Sequence, residues 1–289
     1  MAVSWLDKRL QREYVFRQIG RMAMKLTMLG TGHALVTKYY NTCFVISDED
    51  RHLLIDGGGG NTILRQLELA GIPWFDIHDI FVTHKHTDHI MGIIWMIRMI
   101  CHGMGHGDYS GEVRIYAHDE VLLLLRDIAR KLLLPKEIAF FDNRLYFVEV
   151  SDGETCNIIG HQTTFFDTGS TKAKQFGFSM ELTDGEKLIC CGDEPYNESL
   201  RDYAENSKWL LHEAFCLYEQ RDIFQPYEKH HSTVKDACEL AETLNAANLL
   251  LYHTEDLTFP DRRQRYTQEG RQFFHNNLIV PDDLEMILL

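Results

Sequence analysis

Thr83-His84-Lys85-His86-Thr87-Asp88-His89 gathers three imidazoles and a carboxylate into one short run. Imidazole nitrogen and carboxylate oxygen are the donors that proteins use to hold zinc, manganese and iron. The run follows Ile80–Thr83, whose β-branched and aromatic residues read as a strand. In an extended segment, side chains two residues apart project to the same side, so His84 and His86 can grip one ion. Thr87 is placed to cap a helix that follows, which puts Asp88 and His89 in its first turn, beside the first pair. The spacing predicts a two-metal centre. Two candidates at other strand ends extend it. Asp193 follows the apolar run Lys187–Cys191 and offers a carboxylate able to bridge ions roughly 3.5–4 Å apart, and His253 closes Asn248–Tyr252.

These residues need a frame of strand ends, and the sequence supplies one. Further strands are expected over Lys25–Leu29, Thr42–Ser47, His52–Ile55, Val113–Tyr116, Leu145–Val150, Thr163–Phe166, Phe176–Leu182 and Trp209–Leu211. Helices are expected over Thr62–Leu69, Asp88–Cys101, Asp119–Lys131, Val234–Leu244 and Arg262–Asn276. Asp184-Gly185 reads as a hairpin turn. No repeat, low-complexity tract or Pro/Gly/Ser linker interrupts the pattern, so residues 24–289 are expected to form a single α/β domain. Residues 1–23 stand apart as an extension: Lys8, Arg9, Arg12, Arg17 and Arg21 outweigh Asp7 and Glu13, while Leu6, Leu10 and Tyr14 recur at helical spacing.

Composition narrows the function classes. A chain of 289 residues with 45% hydrophobic content can bury a substantial core. Its most apolar stretch, Ile90 to Ile100, is broken by Gly92 and Arg98 and is too short to cross a bilayer, so no membrane role is expected. The seven cysteines form no Cys-x-x-Cys pair, which disfavours both a disulfide framework and a thiolate zinc knuckle and fits a reducing cytoplasm. A net charge of −14 argues against broad attraction to nucleic acid. Lys172, Lys174, Arg262, Arg263 and Arg265 are read as ordinary solvated surface rather than as a basic groove.

Taken in order, several segments carry a resemblance: Leu29-Gly30-Thr31-Gly32, Leu54-Ile55-Asp56-Gly57-Gly58, the histidine run, Gly192-Asp193, Leu211-His212-Glu213-Ala214, His231-Ser232-Thr233 and His253. With these the chain resembles the metallo-β-lactamase-fold hydrolases, and among them ribonuclease Z and its phosphodiesterase relatives. The resemblance implies an αββα four-layer sandwich with two divalent ions, zinc foremost and manganese or iron as alternatives, at one edge of the sheets. It implies that His84, His86 and Asp193 hold one ion, that Asp88, His89, Asp193 and His253 hold the other, and that Asp56 orients the imidazoles. The implied reaction is attack of a metal-activated water on a phosphodiester. In it Asp88 also orients or deprotonates the water, and His231, fixed by Glu213, stabilises the transition-state oxygens or protonates the leaving alkoxide. The substrate would be a small phosphodiester or RNA, and a homodimer is an open expectation.

The pattern departs from that family at two places. A histidine expected before the bridging aspartate is absent from Phe165-Phe166-Asp167-Thr168-Gly169-Ser170-Thr171-Lys172, where Asp167 either supplies an oxygen ligand or is a turn residue. Only Thr168 to Gly192 separate that point from Asp193, too few residues for the long arm with which ribonuclease Z enzymes engage transfer RNA precursors. Hydrolysis of an acyl substrate (a thioester, lactone or β-lactam) and a degenerate metal-binding protein without activity stand as the competing expectations.

Overall fold

The computed structural model describes residues 24–289. The helical reading of residues 1–23 lies outside the described residues. Two seven-stranded sheets form the centre of the molecule, the first in the order β14-β1-β2-β3-β4-β5-β6 and the second β13-β12-β11-β10-β9-β8-β7. The first sheet comprises β1 (Lys25–Gly30), β2 (Cys43–Asp48), β3 (Arg51–Ile55), β4 (Ile77–Phe81), β5 (Val113–Ala117), β6 (Leu145–Glu149) and β14 (Met286–Leu288). The second comprises β7 (Thr155–Ile158), β8 (His161–Asp167), β9 (Phe176–Glu181), β10 (Lys187–Cys190), β11 (Trp209–Glu213), β12 (Asn248–Tyr252) and β13 (Asn277–Ile279). Each sheet is half antiparallel and half parallel. The strands β3 to β6 run parallel to one another, as do β10 to β13.

Alternation along the strands builds the layers. Phe44 and Ile46 of β2, with Leu53 and Ile55 of β3, point between the sheets and meet Phe178, Leu211, Leu250 and Tyr252 of the second sheet. Their neighbours Cys43, Val45 and Leu54 point the opposite way, under helices α1 (Thr62–Leu69), α2 (Thr87–His106) and α3 (Asp119–Leu132). On the far side, Leu210, Leu249 and Leu251 are covered by α4 (Val234–Thr243) and α5 (Arg262–Gly270). Strands buried on both faces must be apolar at consecutive positions, which is why Leu249-Leu250-Leu251 is an unbroken run. Phe81 and Phe165, from opposite sheets, bring their ring centroids to 4.9 Å. The result is the αββα four-layer sandwich.

Several boundaries differ from the sequence reading. Helix α2 begins at Thr87 with His86 at its N-cap, so Thr87 is the first helical residue and not the cap, and the helix runs on to His106 until Gly107 takes a left-handed φ of 88°. The last helix ends at Gly270 rather than Asn276. The short strands β7, β13 and β14 carry too few residues to show an alternation. The hairpin at Asp184-Gly185 does join β9 to β10, with Gly185 at φ 81°. Arg262 corrects the solvated-surface reading: it is fully buried, and its guanidinium donates to Thr31 Oγ1 at 2.9 Å and Thr254 Oγ1 at 2.6 Å. It thereby staples the loop after β1 to the loop after β12. Among the described residues no helix is long and apolar enough to cross a membrane.

Candidate metal centre

The C-terminal ends of β3, β4, β10, β11 and β12 converge on one edge of the sandwich, and the loops leaving them carry the chemistry. Asp56 leaves β3 in the left-handed region at φ 56°, and His253 leaves β12 at φ 58°. Side chains held in that sparsely used conformation are turned out of the strand direction, into the space between the sheets' edges. Gly57 donates its amide to His89 O at 2.8 Å, and Gly92 donates to Gly58 O at 2.9 Å, so the loop after β3 is bonded directly onto the first turns of α2. A Cβ on Gly57 would meet the backbone of Ile93, and one on Gly92 would collide with Gly57 O. Glycine at both positions is what lets Asp56 approach the helix that carries Asp88 and His89.

Asp56, Thr83, His84 and His89 form one hydrogen-bonded unit. The Asp56 carboxylate accepts from the Thr83 amide at 2.9 Å, from Thr83 Oγ1 at 2.8 Å and from His89 Nδ1 at 2.7 Å. Since the Thr83 hydroxyl has spent its proton on Asp56, it accepts from His84 Nδ1 at 2.9 Å. The same logic holds for His253: the Thr42 hydroxyl donates to Gly32 O at 3.1 Å and so accepts from His253 Nδ1, also at 3.1 Å. All three imidazoles thus turn Nδ1 to an acceptor and Nε2 towards Asp193. His84 Nε2 lies 3.6 Å from Asp193 Oδ1, while His89 Nε2 and His253 Nε2 each lie 3.5 Å from Asp193 Oδ2. Asp88 Oδ2 lies 3.4 Å from His89 Nε2. Two groups of mutually close ligand atoms result, His84-His89-Asp193 and Asp88-His89-His253.

The donor set fits divalent cations. Asp56, Asp88 and Asp193 are all buried, and among the described residues only imidazoles face their oxygens within 4 Å as cationic partners. His89 Nε2 is buried without a hydrogen-bond partner. Burying several carboxylates against neutral imidazoles is costly unless a cation joins them. The acid–base balance reflects the same charge. Burial pushes His84 down to about 3 and His253 well below the ordinary histidine value. Burial acts to raise Asp193 and Asp88, yet the imidazoles around them outweigh it and hold both carboxyls well below the usual range. His89 shows the reverse contest, in which its carboxylate neighbours outweigh burial and raise it.

His86 and Asp167 are placed differently from the arrangement expected of the motif alone. His86 Nδ1 donates to His84 Nε2 at 2.8 Å, so the pair faces one another and His86 stays half-buried outside both groups. Asp167 is not brought to the site: its carboxylate accepts the Gly169 amide at 2.9 Å and closes a turn. His161, the nearest histidine before it, is the first residue of β8 and bonds Glu181 O and Asp48. Glu213 is fully buried at the end of β11, where Oε1 takes the Ser232 amide and Oε2 stands 3.6 Å from His231 Nδ1. The His231 ring stacks on Phe215 at 4.7 Å and 6°, with its centroid 5.2 Å from that of His253. Thr233 caps α4 in a reciprocal pair with Asp236, which fixes the segment carrying His231.

Some contributors carry no sequence signal. Gln175 Nε2 donates to Asp193 Oδ1 at 2.7 Å, reaching it across Gly192, where a left-handed φ of 77° and the lack of a Cβ leave room. His33, directly after Leu29-Gly30-Thr31-Gly32, packs tilted against Phe215 at 4.4 Å and 33°, and burial and its cationic neighbours push it down to about 4. Lys172 Nζ stands 3.1 Å from Glu194 Oε1 and 3.5 Å from His231 Nε2.

The family described as Anti-Pycsar protein Apyc1 matches residues 24–278 of the chain. The chain belongs to that family. The matched range spans the described domain as far as β13 and includes every residue of the metal centre. Beyond the family, the chain is similar to ribonuclease Z of Archaeoglobus fulgidus, 23% identical over 320 residues that cover 92% of this chain and 98% of the relative. The metallo-β-lactamase fold protein YhfI from Bacillus subtilis superposes with a TM-score of 0.75 at 17% identity, covering 92% of this chain and 99% of that one. Zinc-bound PqqB from Methylobacterium extorquens superposes with a TM-score of 0.69 at 14% identity, covering 92% and 100%. The fold of this family member is the metallo-β-lactamase fold.

Proposed function

We propose that the protein is a metal-dependent hydrolase of phosphodiesters, taking small diesters in preference to long RNA. The carrying observation is the join of two features at one sheet edge: a buried ligand set with three Nε2 atoms turned towards Asp193, and His231 beside it with Glu213 behind. His84, His86, Asp88, His89, Asp193 and His253 would hold two divalent ions, zinc foremost, and such ions supply the Lewis acidity that activates water and neutralises phosphate charge. Asp56 and Thr83 keep the imidazoles in the ligating tautomer. His231 has its Nδ1 directed at Glu213 and its Nε2 towards the site, which suits it to hydrogen-bond the reacting oxygens or to give a proton to the leaving alkoxide. Acyl hydrolysis has no use for that second element. Similarity to ribonuclease Z supports the same reading.

The test is hydrolysis of bis(p-nitrophenyl) phosphate by protein loaded with zinc, manganese or iron. Turnover is expected, with His231→Ala lowering kcat by roughly 10²- to 10⁴-fold while metal content stays at the wild-type level. Turnover of thioesters or lactones far above that of phosphodiesters, or an unchanged rate in His231→Ala, would overturn the proposal.

A further inference from the structure

We infer that Lys172 is a phosphate-binding residue of this site, held in place by Glu194 and acting beside His231. The inference rests on the phosphodiester reading above. Lys172 follows β8 in the loop 168–175, and its ammonium lies 3.1 Å from Glu194 Oε1 and 3.5 Å from His231 Nε2. Glu194 is the residue after Asp193, and its side chain is 7% exposed against 22% for Lys172. An ion pair so largely removed from water differs from the exposed pairs that dot this surface, because ordering the lysine there costs desolvation that a solvated pair avoids. The neighbouring lysine shows the contrast: Lys174 pairs with Asp119, whose side chain is 48% exposed.

Geometry gives the ammonium a direction of action. His231 Nε2 lies 3.5 Å from the Lys172 ammonium while its Nδ1 faces Glu213 Oε2 at 3.6 Å, so lysine and histidine can reach one phosphate group from the same side. An ammonium has three N–H donors; one faces Glu194, and among the described residues His231 alone stands near the others. Lys172 therefore stands beside the residue proposed to protonate the leaving group and next to the residue that follows Asp193. In a protein of net charge −14, this is a cation placed where an anionic substrate must arrive. A phosphate oxygen taking one of those N–H donors would be contacted by a charge-assisted hydrogen bond.

Metal-loaded wild type, Lys172→Gln, Lys172→Arg and Glu194→Gln are titrated calorimetrically with inorganic phosphate, and metal content is measured on the same samples. Lys172→Gln is expected to weaken phosphate binding and to lower kcat/KM for bis(p-nitrophenyl) phosphate, each on the order of 10- to 100-fold, the factor of a hydrogen bond to a charged group. Lys172→Arg keeps the charge and is expected to restore both to within a few-fold. Glu194→Gln loosens the lysine and falls between. Equal phosphate affinity in wild type and Lys172→Gln, no phosphate binding by wild type, or a loss of bound metal in Lys172→Gln would overturn the inference. A wild type that binds phosphate through Lys172 but cleaves no phosphodiester would sink the functional reading alone.

Discussion

At the scale of single residues, the centre is organised by hydroxyls and carboxylates that never need to touch an ion. Thr83, Asp56 and Thr42 each accept from an Nδ1–H, and those bonds turn Nε2 of His84, His89 and His253 towards Asp193. Asp56 serves two imidazoles, one directly and one through Thr83, so Asp56→Asn removes the acceptor for both. We expect metal affinity to fall about 10- to 100-fold with the fold intact, measured by competition with a chelator and by circular dichroism. Protonation acts on the same atoms. His84 at about 3 and His33 at about 4 sit below the ordinary value of 6.5, so the unfolded chain binds protons that the folded chain refuses. The stability tied to these two groups is present above pH 6.5 and is lost as pH falls from there towards 4 and 3. The metal-free protein is therefore expected to show a falling Tm between pH 6.5 and 4. Added zinc should recover Tm at pH 7 more than at pH 5, because protons compete for the same Nε2 atoms.

At the scale of elements, the site depends on how closely the loop after β3 lies on α2. Alanine is the better helix former by about 1 kcal/mol, so on propensity alone Gly92→Ala should stabilise α2. The collision of its Cβ with Gly57 O reverses the sign. Overpacking of this kind costs typically about 1–3 kcal/mol, and the backbone on the receiving side has no rotamer with which to escape. Gly92→Ala is expected to lower stability in urea denaturation and to weaken metal binding together, since the displaced loop carries Asp56. A variant more stable than wild type would show that the loop can move away freely. The elements also explain how far the sequence can be read. The histidine run, Asp193 and His253 are legible because each follows an apolar strand, and a strand end is a local pattern. The helix start falls one residue away from its expected place because His86, an unusual N-cap, occupies the position for which Thr87 has the better cap chemistry. Asp167 reads as an available ligand because its strand end is equally local; that its carboxylate closes the Gly169 turn is a detail of loop geometry.

At the scale of the whole molecule, what escapes the sequence is what the fold brings from far away. Arg262 joins Thr31 across 231 positions and Thr42 meets His253 across 211, distances at which no periodicity survives. The same scale governs substrate choice. The chain is strongly acidic, and the residues between Thr168 and Gly192 are used up by the turn at Asp167, the loop of Lys172 and the hairpin β9–β10. Of the five basic residues weighed as a groove, Arg262 is buried, Arg263 pairs with Asp282 and Glu285, Arg265 with Glu219 and Lys174 with Asp119. Lys172 alone is directed at the centre. A long RNA gains affinity by displacing counterions at many phosphates, which requires many such cations along a track. One lysine and one histidine beside the metal centre suffice for a single phosphate. The phosphodiesterase activity is therefore expected to favour a small diester over a transfer RNA precursor in kcat/KM. For a small diester, the logarithm of kcat/KM should change with the logarithm of salt concentration with a slope near roughly −1. A slope of about −4 or steeper, together with efficient cleavage of the RNA, would mean that several cations elsewhere on this acidic surface track the backbone.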